Sequence, residues 1–488
     1  MKLRKETWTL LFIFFVAFGF HLAFLFQVPF FSSDESYFHL RHSQYITEHF
    51  SPIVYDSLSY GGNVILNTHI LHYFLGILDI FLPEILVYKI LPALFASSIV
   101  FVIYLLAKKV TENEYAALFG ALLAAFVPSF LSVTINQIST TTLFVPLFLF
   151  VLYGLLTLEK QRMLFLFLSL ILVLLEPLNL LLLFTLLMFI VLSLAESHAI
   201  QKNEMEAIGL FTLLFLLINL IFFKQLYLTQ GLATVWQNLP LEIYGNLFQN
   251  FDLFQTIAII GIVPLILGVL GLLVYKKHDR TITLFQSVLL ADFTLLLLRL
   301  IPFEEGVLFL AIVLCVTAAI SIEKIVAYIR LTKAARYKSL LMATLVIVAL
   351  VSLIIPSIVI ARDVVREGVT VSEIEAMEWI RDNTPEDSVV AGNVYEGNLI
   401  IAIAQRANII DTQFFYAEDR ILDVETIFTT ESLVKATQAL RKYGADYLYV
   451  SKKSQDLYVV SELPYIKGES CFEEVFRNDY AIVYKMVC

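Results

Sequence analysis

The chain is short of charge. Of its 488 residues, 16% are Asp, Glu, Lys or Arg, against about 25% in ordinary soluble domains. In their place 59% of residues are hydrophobic, and the mean hydropathy is +0.82. That balance excludes a soluble globular protein and reads as a polytopic membrane protein. The first apolar stretch, about Trp8 to Val28 behind Met-Lys-Leu-Arg-Lys, lacks a small-residue cleavage site, so it is expected to be a retained anchor. No short-period repeat or low-complexity run is present. Only three cysteines occur. Cys315 sits in an apolar stretch and reads as a small hydrophobe. Cys471 and Cys488 flank an expected terminal hairpin, Phe472 to Val487. Either they pair across it, which would fit an oxidising compartment, or they are free thiols.

Apolar stretches of membrane-spanning character fall at about 7–29, 85–107, 115–130, 140–158, 163–177, 178–195, 207–226, 254–275, 282–301, 306–328 and 339–361. These eleven expected spans place the two termini on opposite sides. With the N-terminus in the cytoplasm, fifteen Lys and Arg lie in inner loops. Four lie outside before the tail: Arg41, Lys89, Lys224 and Arg299. The excess of inner cations supports that orientation. The net charge of -10 sits mainly in the tail, where 13 Lys and Arg from Arg362 onward face 22 Asp and Glu. So acidic a unit argues against a nucleic-acid partner.

The expected fold is a multi-spanning α-helical membrane domain over 1–361, with a large outer loop at 30–84, followed by an extracytoplasmic α/β domain over 362–488. Within the loop, Val64 to Leu82 reads as an amphipathic helix at the interface rather than a span. In the tail, helices are expected at Glu373–Asp382 and Leu433–Lys442. Strands are expected at Ser388–Ala391, Ala407–Asp411, Tyr447–Ser451 and Ala481–Met486. Their alternation suggests a small α/β domain.

The chemistry concentrates in the outer loop. Asp34 and Glu35 stand side by side in Phe31-Ser-Ser-Asp-Glu-Ser-Tyr-Phe-His-Leu-Arg-His42. Two carboxylates beside lipid are costly, and their default reading is functional. Five of the eight histidines follow: His39, His42, His49, His69 and His72. On a helix, Glu35, His39 and His42 share one face. There they could hold a divalent ion or orient a general base; the alternative is a polar helix face with satisfied histidines. A carboxylate can deprotonate an acceptor hydroxyl attacking an anomeric carbon. A departing phosphate needs positive charge or a metal, for which Arg41, Lys224 and Arg299 are the outer candidates. Glu176, at an expected outer turn beside Pro177, either lines such a cavity or caps a helix break. Trp236 in the second long outer loop could stack on sugar or lipid.

An acidic pair on the first outer loop, behind one span and ahead of many, resembles the GT-C superfamily of membrane glycosyltransferases. Ser-Asp-Glu-Ser-Tyr-Phe-His-Leu-Arg-His is similar to the acidic-pair loop of protein mannosyltransferases and aminoarabinose transferases. Ala376-Met-Glu-Trp-Ile-Arg-Asp-Asn-Thr-Pro-Glu-Asp-Ser-Val-Val390 resembles the stretch opening the outer domain of oligosaccharyltransferases. The resemblance implies transfer of a sugar from a polyprenyl-phosphate donor at the extracytoplasmic face of the cell membrane, with Asp34 as the base candidate. The acceptor would be a protein, lipid or glycan. The chain also departs from the pattern. Gly392-Asn-Val-Tyr-Glu-Gly-Asn398 stands where an oligosaccharyltransferase carries Trp-Trp-Asp-Tyr-Gly, which argues against asparagine glycosylation. The segment Val133 to Thr142 holds no acidic residue where many relatives carry one, which weakens metal binding by a second acidic motif. Two other readings stay open: a GT-C-shaped binding or scaffold protein without catalysis, and a transporter of lipid-linked sugars.

Overall fold

The computed structural model describes residues 5–66, 68–176, 180–197, 199–231, 252–274, 280–413, 418–466 and 471–488. The chain forms two compact units. The first comprises 1–28, 85–224 and 244–366; the second comprises 29–84, 225–243 and 367–488. The sequence places the loop 30–84 with the membrane part; in the fold it packs with the acidic tail.

The first unit is helical. Each of the eleven stretches expected to span a membrane coincides with helix, yet among the described residues six helices are long and apolar enough to cross, or seven if the bent pair Leu253–Ile260 and Ile262–Val274 counts as one. Part of the difference is length. Glu114–Ala124 has 11 residues and Thr141–Leu156 has 16. At a rise of about 1.5 Å per residue, neither alone reaches the ~30 Å of a hydrocarbon core. Phe303–Arg330 is the most buried of these helices, with Gly306–Phe309 and Ala311–Ile322 buried. Helix 262–274 lies against it through glycine. A Cβ on Gly271 would stand 2.1 Å from the Thr317 carbonyl oxygen, and one on Gly268 would stand 2.7 Å from that of Leu314. Small residues allow such backbone approach, which is how helices associate where water offers no driving force.

The second unit is built on a five-stranded mixed sheet. Its outer-loop part contributes α1 (Asp34–His49), β1 (Tyr55–Asp56), β2 (Asn63–Val64) and α2 (Ile70–Asp79). The tail contributes α3 (Val371–Asn383), β3 (Val389–Ala391), β4 (Ala407–Asn408), α4 (Glu418–Thr429), α5 (Leu433–Lys442), β5 (Tyr447–Ser451), β6 (Phe472–Arg477) and β7 (Ala481–Met486). The sheet order is β4-β3-β5-β7-β6, parallel among β4, β3 and β5 and antiparallel from β5 onward. β5 and β7 match their sequence expectation residue for residue, as does α5. β4 is shorter than expected, because the chain turns at Asp411 into hydrogen bonds with the outer loop. α4 was not anticipated, and α2 covers ten residues of the expected Val64–Leu82 helix.

The local reasons are plain. Thr370 and Glu373 form a capping box that starts α3, each satisfying a backbone N–H of the first turn. Ser432 caps α5, and Gly444 at φ +64° ends it in the left-handed region that glycine enters without cost. Leu440, Ala436, Val424, Ile427 and Phe428 pack on Leu448 and Val450 of the sheet. Tyr60 of the outer loop belongs to the same core. Its hydroxyl donates to the Asp411 carbonyl at 2.8 Å, and its N–H donates to Asn408 Oδ1 at 2.8 Å.

Cys471 and Cys488 are bonded, with a sequence separation of 17, so the paired alternative holds; Cys315 is free and buried. A cross-link closing a loop of this size stabilises by about 3 kcal/mol through loop entropy. We predict that Cys488→Ser lowers the unfolding free energy of the acidic unit by that order, read from denaturant unfolding. Non-reducing peptide mapping should recover the linked pair from the native protein.

Candidate functional site

The site is built on α1. Ser33, in extended backbone, caps the helix and accepts from the Ser36 N–H, which sets Asp34 and Glu35 in the first turn. Acidic groups there complement the helix dipole. The neighbouring side chains then diverge. Glu35 is exposed and accepts from His39 Nε2 at 3.3 Å. Asp34 turns inward, half-buried, onto the short helical turn Gly397–Leu399 of the tail. Its Oδ1 accepts the Leu399 N–H at 2.8 Å; its Oδ2 accepts the Asn398 side-chain amide at 2.7 Å and the Asn398 N–H at 3.3 Å.

These bonds define the electrostatics. Loss of solvent pushes the Asp34 carboxyl up, the three donors from Leu399 and Asn398 pull it down, and it settles at about 7. A carboxylate has about four acceptor positions. Among the described residues three are used, which leaves one on Oδ1 for an incoming proton. A base whose midpoint lies near neutrality is suited to general-base work.

His39 and His42 face a second cluster rather than each other. His39 Nδ1 lies 2.8 Å from His72 Nε2, and His69 Nδ1 lies 3.1 Å from His72 Nδ1. The metal-capable group that forms is His42, His69 and His72, all buried; His39 stands beside it, bonded to His72 and Glu35. Burial holds His42, His69 and His72 below the ordinary imidazole range, so all three are neutral. His49 is exposed and stacks on Tyr45.

Arg41 is held by Asp56, to which its Nη1 and Nη2 both donate. Its charge is balanced by a carboxylate that is 1% exposed, and it fixes the start of the β1–β2 ribbon. Glu176, Arg299 and Lys224 belong to the first unit. Glu176 follows helix 158–175 and accepts from the Thr140 hydroxyl; the segment 133–142, which lacks an acidic residue of its own, thus acquires one from 36 positions away. Arg299 sits in left-handed backbone at φ +54°, just past helix 280–297. Lys224 is exposed on helix 202–230. Trp236 lies outside the described residues. Asn398 and its neighbour Leu399 escaped the sequence reading, because nothing local marks an asparagine as the cap of a distant carboxylate.

No family model matches this chain, and no curated protein matches it. Solved structures do. The apo oligosaccharyltransferase of Archaeoglobus fulgidus is similar at TM-score 0.71 and 14% identity, over 99% of this chain and 75% of that one. The Archaeoglobus fulgidus oligosaccharyltransferase AglB in complex with an inhibitory peptide and a dolichol-phosphate is similar at 0.70 and 15%, over 92% and 70%. ArnT from Cupriavidus metallidurans bound to undecaprenyl phosphate is similar at 0.57 and 12%, over 99% and 98%. The fold is therefore that of the GT-C membrane glycosyltransferases, as the acidic-pair loop leads one to expect.

The balance at Asp34 is testable without turnover. Asn398→Ala removes a charge-assisted donor worth ~1.5–3 kcal/mol. At about 1.4 kcal/mol per pH unit, the Asp34 midpoint should rise from about 7 to above about 8. The carboxylic C=O stretch in pH-difference infrared spectra, with Asp34→Asn as the blank, reads that midpoint directly.

Proposed function

We propose that this protein is a membrane glycosyltransferase that moves a sugar from a polyprenyl-phosphate donor to an acceptor hydroxyl at the extracytoplasmic face. The observation that carries this reading is Asp34: an inward carboxylate near neutrality with one free acceptor position, within a GT-C fold. The acceptor O–H donates to Asp34 Oδ1. As the oxygen attacks the anomeric carbon, its proton passes to that carboxylate, the C–O bond to phosphate breaks, and the polyprenyl phosphate leaves. Asn398 and Leu399 keep the carboxylate aimed while it changes charge. A phosphate leaving group needs no acid, only compensation of its charge. Arg41, one of the three cations expected in that role, is taken by Asp56, so its charge is not available to a leaving phosphate. The two neighbours bound to lipid phosphates support this donor class. The Cys471–Cys488 bond supports an oxidising, extracytoplasmic location for the tail, with the N-terminus on the cytoplasmic side. All eleven apolar segments belong to the membrane part in this reading.

A divalent metal at Asp34 does not fit these residues. Three of its acceptor positions are filled by amide donors, and Asp411, the carboxylate whose charge reaches it, is itself held by Ser59, Asn408 and Gln413. A neighbouring structure of the Archaeoglobus fulgidus enzyme holds zinc and sulfate; in this chain the residues suited to a metal are the histidines, and no catalytic step runs through them. The three amide donors on Asp34 also favour a second reading, a GT-C-shaped protein that binds lipid-linked sugar without turnover.

Turnover separates the two. Purified protein supplied with radiolabelled polyprenyl-phosphate sugars should release or transfer sugar, and Asp34→Asn should lose about 10²–10⁴-fold with donor binding intact. Because the base must be anionic, the rate should fall as pH drops below about 7, approaching tenfold per unit. Saturable donor binding without turnover, unaltered by Asp34→Asn, would leave the binding protein as the answer.

A further inference from the structure

Four histidines of the outer loop converge between α1 and α2, and three of them meet at one point. His42, His69 and His72 each present a ring nitrogen within 4.8 Å of the others, and their residues are 0%, 6% and 1% exposed. We propose that these three imidazoles bind one divalent transition-metal ion of the zinc class.

Geometry is the first support. Zinc–nitrogen bonds of about 2.0–2.1 Å in a tetrahedron set the ligand nitrogens about 3.3 Å apart. The Nδ1 atoms of His69 and His72 stand 3.1 Å apart, close to one edge of that tetrahedron before any side chain moves. The second support is His42. Both of its ring nitrogens are buried, and neither has a hydrogen-bond partner among the described residues. Its ring lies with centroids 5.5 Å from His69 and 5.1 Å from His72. A buried polar group left unmatched costs ~1–3 kcal/mol; a metal in the gap would engage one of these two nitrogens.

The third support is the proton order behind the ligands. With the ion on His72 Nδ1, His72 carries its proton on Nε2. That N–H donates across 2.8 Å to His39 Nδ1, which leaves the His39 proton on Nε2. This second N–H donates across 3.3 Å to Glu35 Oε1. Along this relay from His72 to Glu35 each proton has one position and each acceptor one donor. The chain ends on a carboxylate, the arrangement that orients metal-bound histidines and raises their basicity. Three imidazoles without thiolate suit zinc, cobalt, nickel or copper; magnesium and calcium take oxygen ligands. Three protein ligands leave a fourth position to water. The ion would fasten α2 to α1 and, through His39, fix Glu35 beside Asp34. The site stands whether or not the protein transfers sugar.

Metal content decides it. The full chain, purified in detergent through a tag without histidine, is dialysed against metal-free buffer and loaded with zinc or cobalt. One ion per chain is expected, with the visible absorption of tetrahedral cobalt. His42→Gln, His69→Gln and His72→Gln should each weaken binding at least tenfold, and Glu35→Gln about 10–100-fold. Asp34→Asn should leave it unchanged, which separates this site from the transfer reaction. Wild-type protein that retains no stoichiometric zinc and shows no tetrahedral cobalt spectrum would overturn the proposal, even if the histidine variants fail to fold. So would a cobalt spectrum that survives the three histidine substitutions in monodisperse protein.

Discussion

A carboxylate drawn out of water has to be given donors, and Asp34 receives them from backbone and side chain 364 residues downstream. Much of the second unit follows from that constraint. The amides of Asn398 and Leu399 are available because Gly397–Leu399 turns sharply after β3. The turn is tight enough that a Cβ on Gly397 would meet the Ile410 carbonyl oxygen at 2.1 Å. The same corner is tied by Asn408, which donates to the Gly397 carbonyl and to Asp411, while Asp411 accepts from Ser59. The outer loop and the tail thus share one polar network whose members are nearly all satisfied, the condition under which buried polarity rigidifies rather than destabilises.

The two carboxylates of the pair have separate tasks because they leave the helix in different directions. Asp34 meets amide donors and sits near neutrality; Glu35 stays in water and anchors a histidine. One residue step on a helix is about 100° of rotation, enough to give adjacent identical chemistries unlike surroundings. Environment sets the pKa of a carboxyl and with it the role.

Much of this was legible residue by residue. β5 could be read because five consecutive apolar and small residues between polar turns describe a buried strand, and Tyr447–Ser451 is buried throughout. α5 could be read from its amphipathic period and the glycine after it. The i, i+4 spacing of Glu35 and His39 foretold their contact, since helical geometry is local. The partners of His42 could not be read. Position 42 meets positions 69 and 72 only because α2 folds back on α1, and no periodicity within α1 carries that information. Arg41, read as a phosphate ligand from its charge, is claimed by Asp56, which lies 15 residues on and gave no sign of pairing.

Composition and short spacing were enough for an apolar chain bound for the membrane, an acidic tail of alternating helix and strand, and a helix opening with two carboxylates and followed by histidines. Hydrophobic content and helical repeat act over a few residues and need no knowledge of the fold. Tertiary structure alone decided which unit owns the outer loop, which carboxylate is buried, and which histidines meet. Those outcomes rest on desolvation and on hydrogen bonds between segments hundreds of residues apart, and both exist only once the chain has closed on itself.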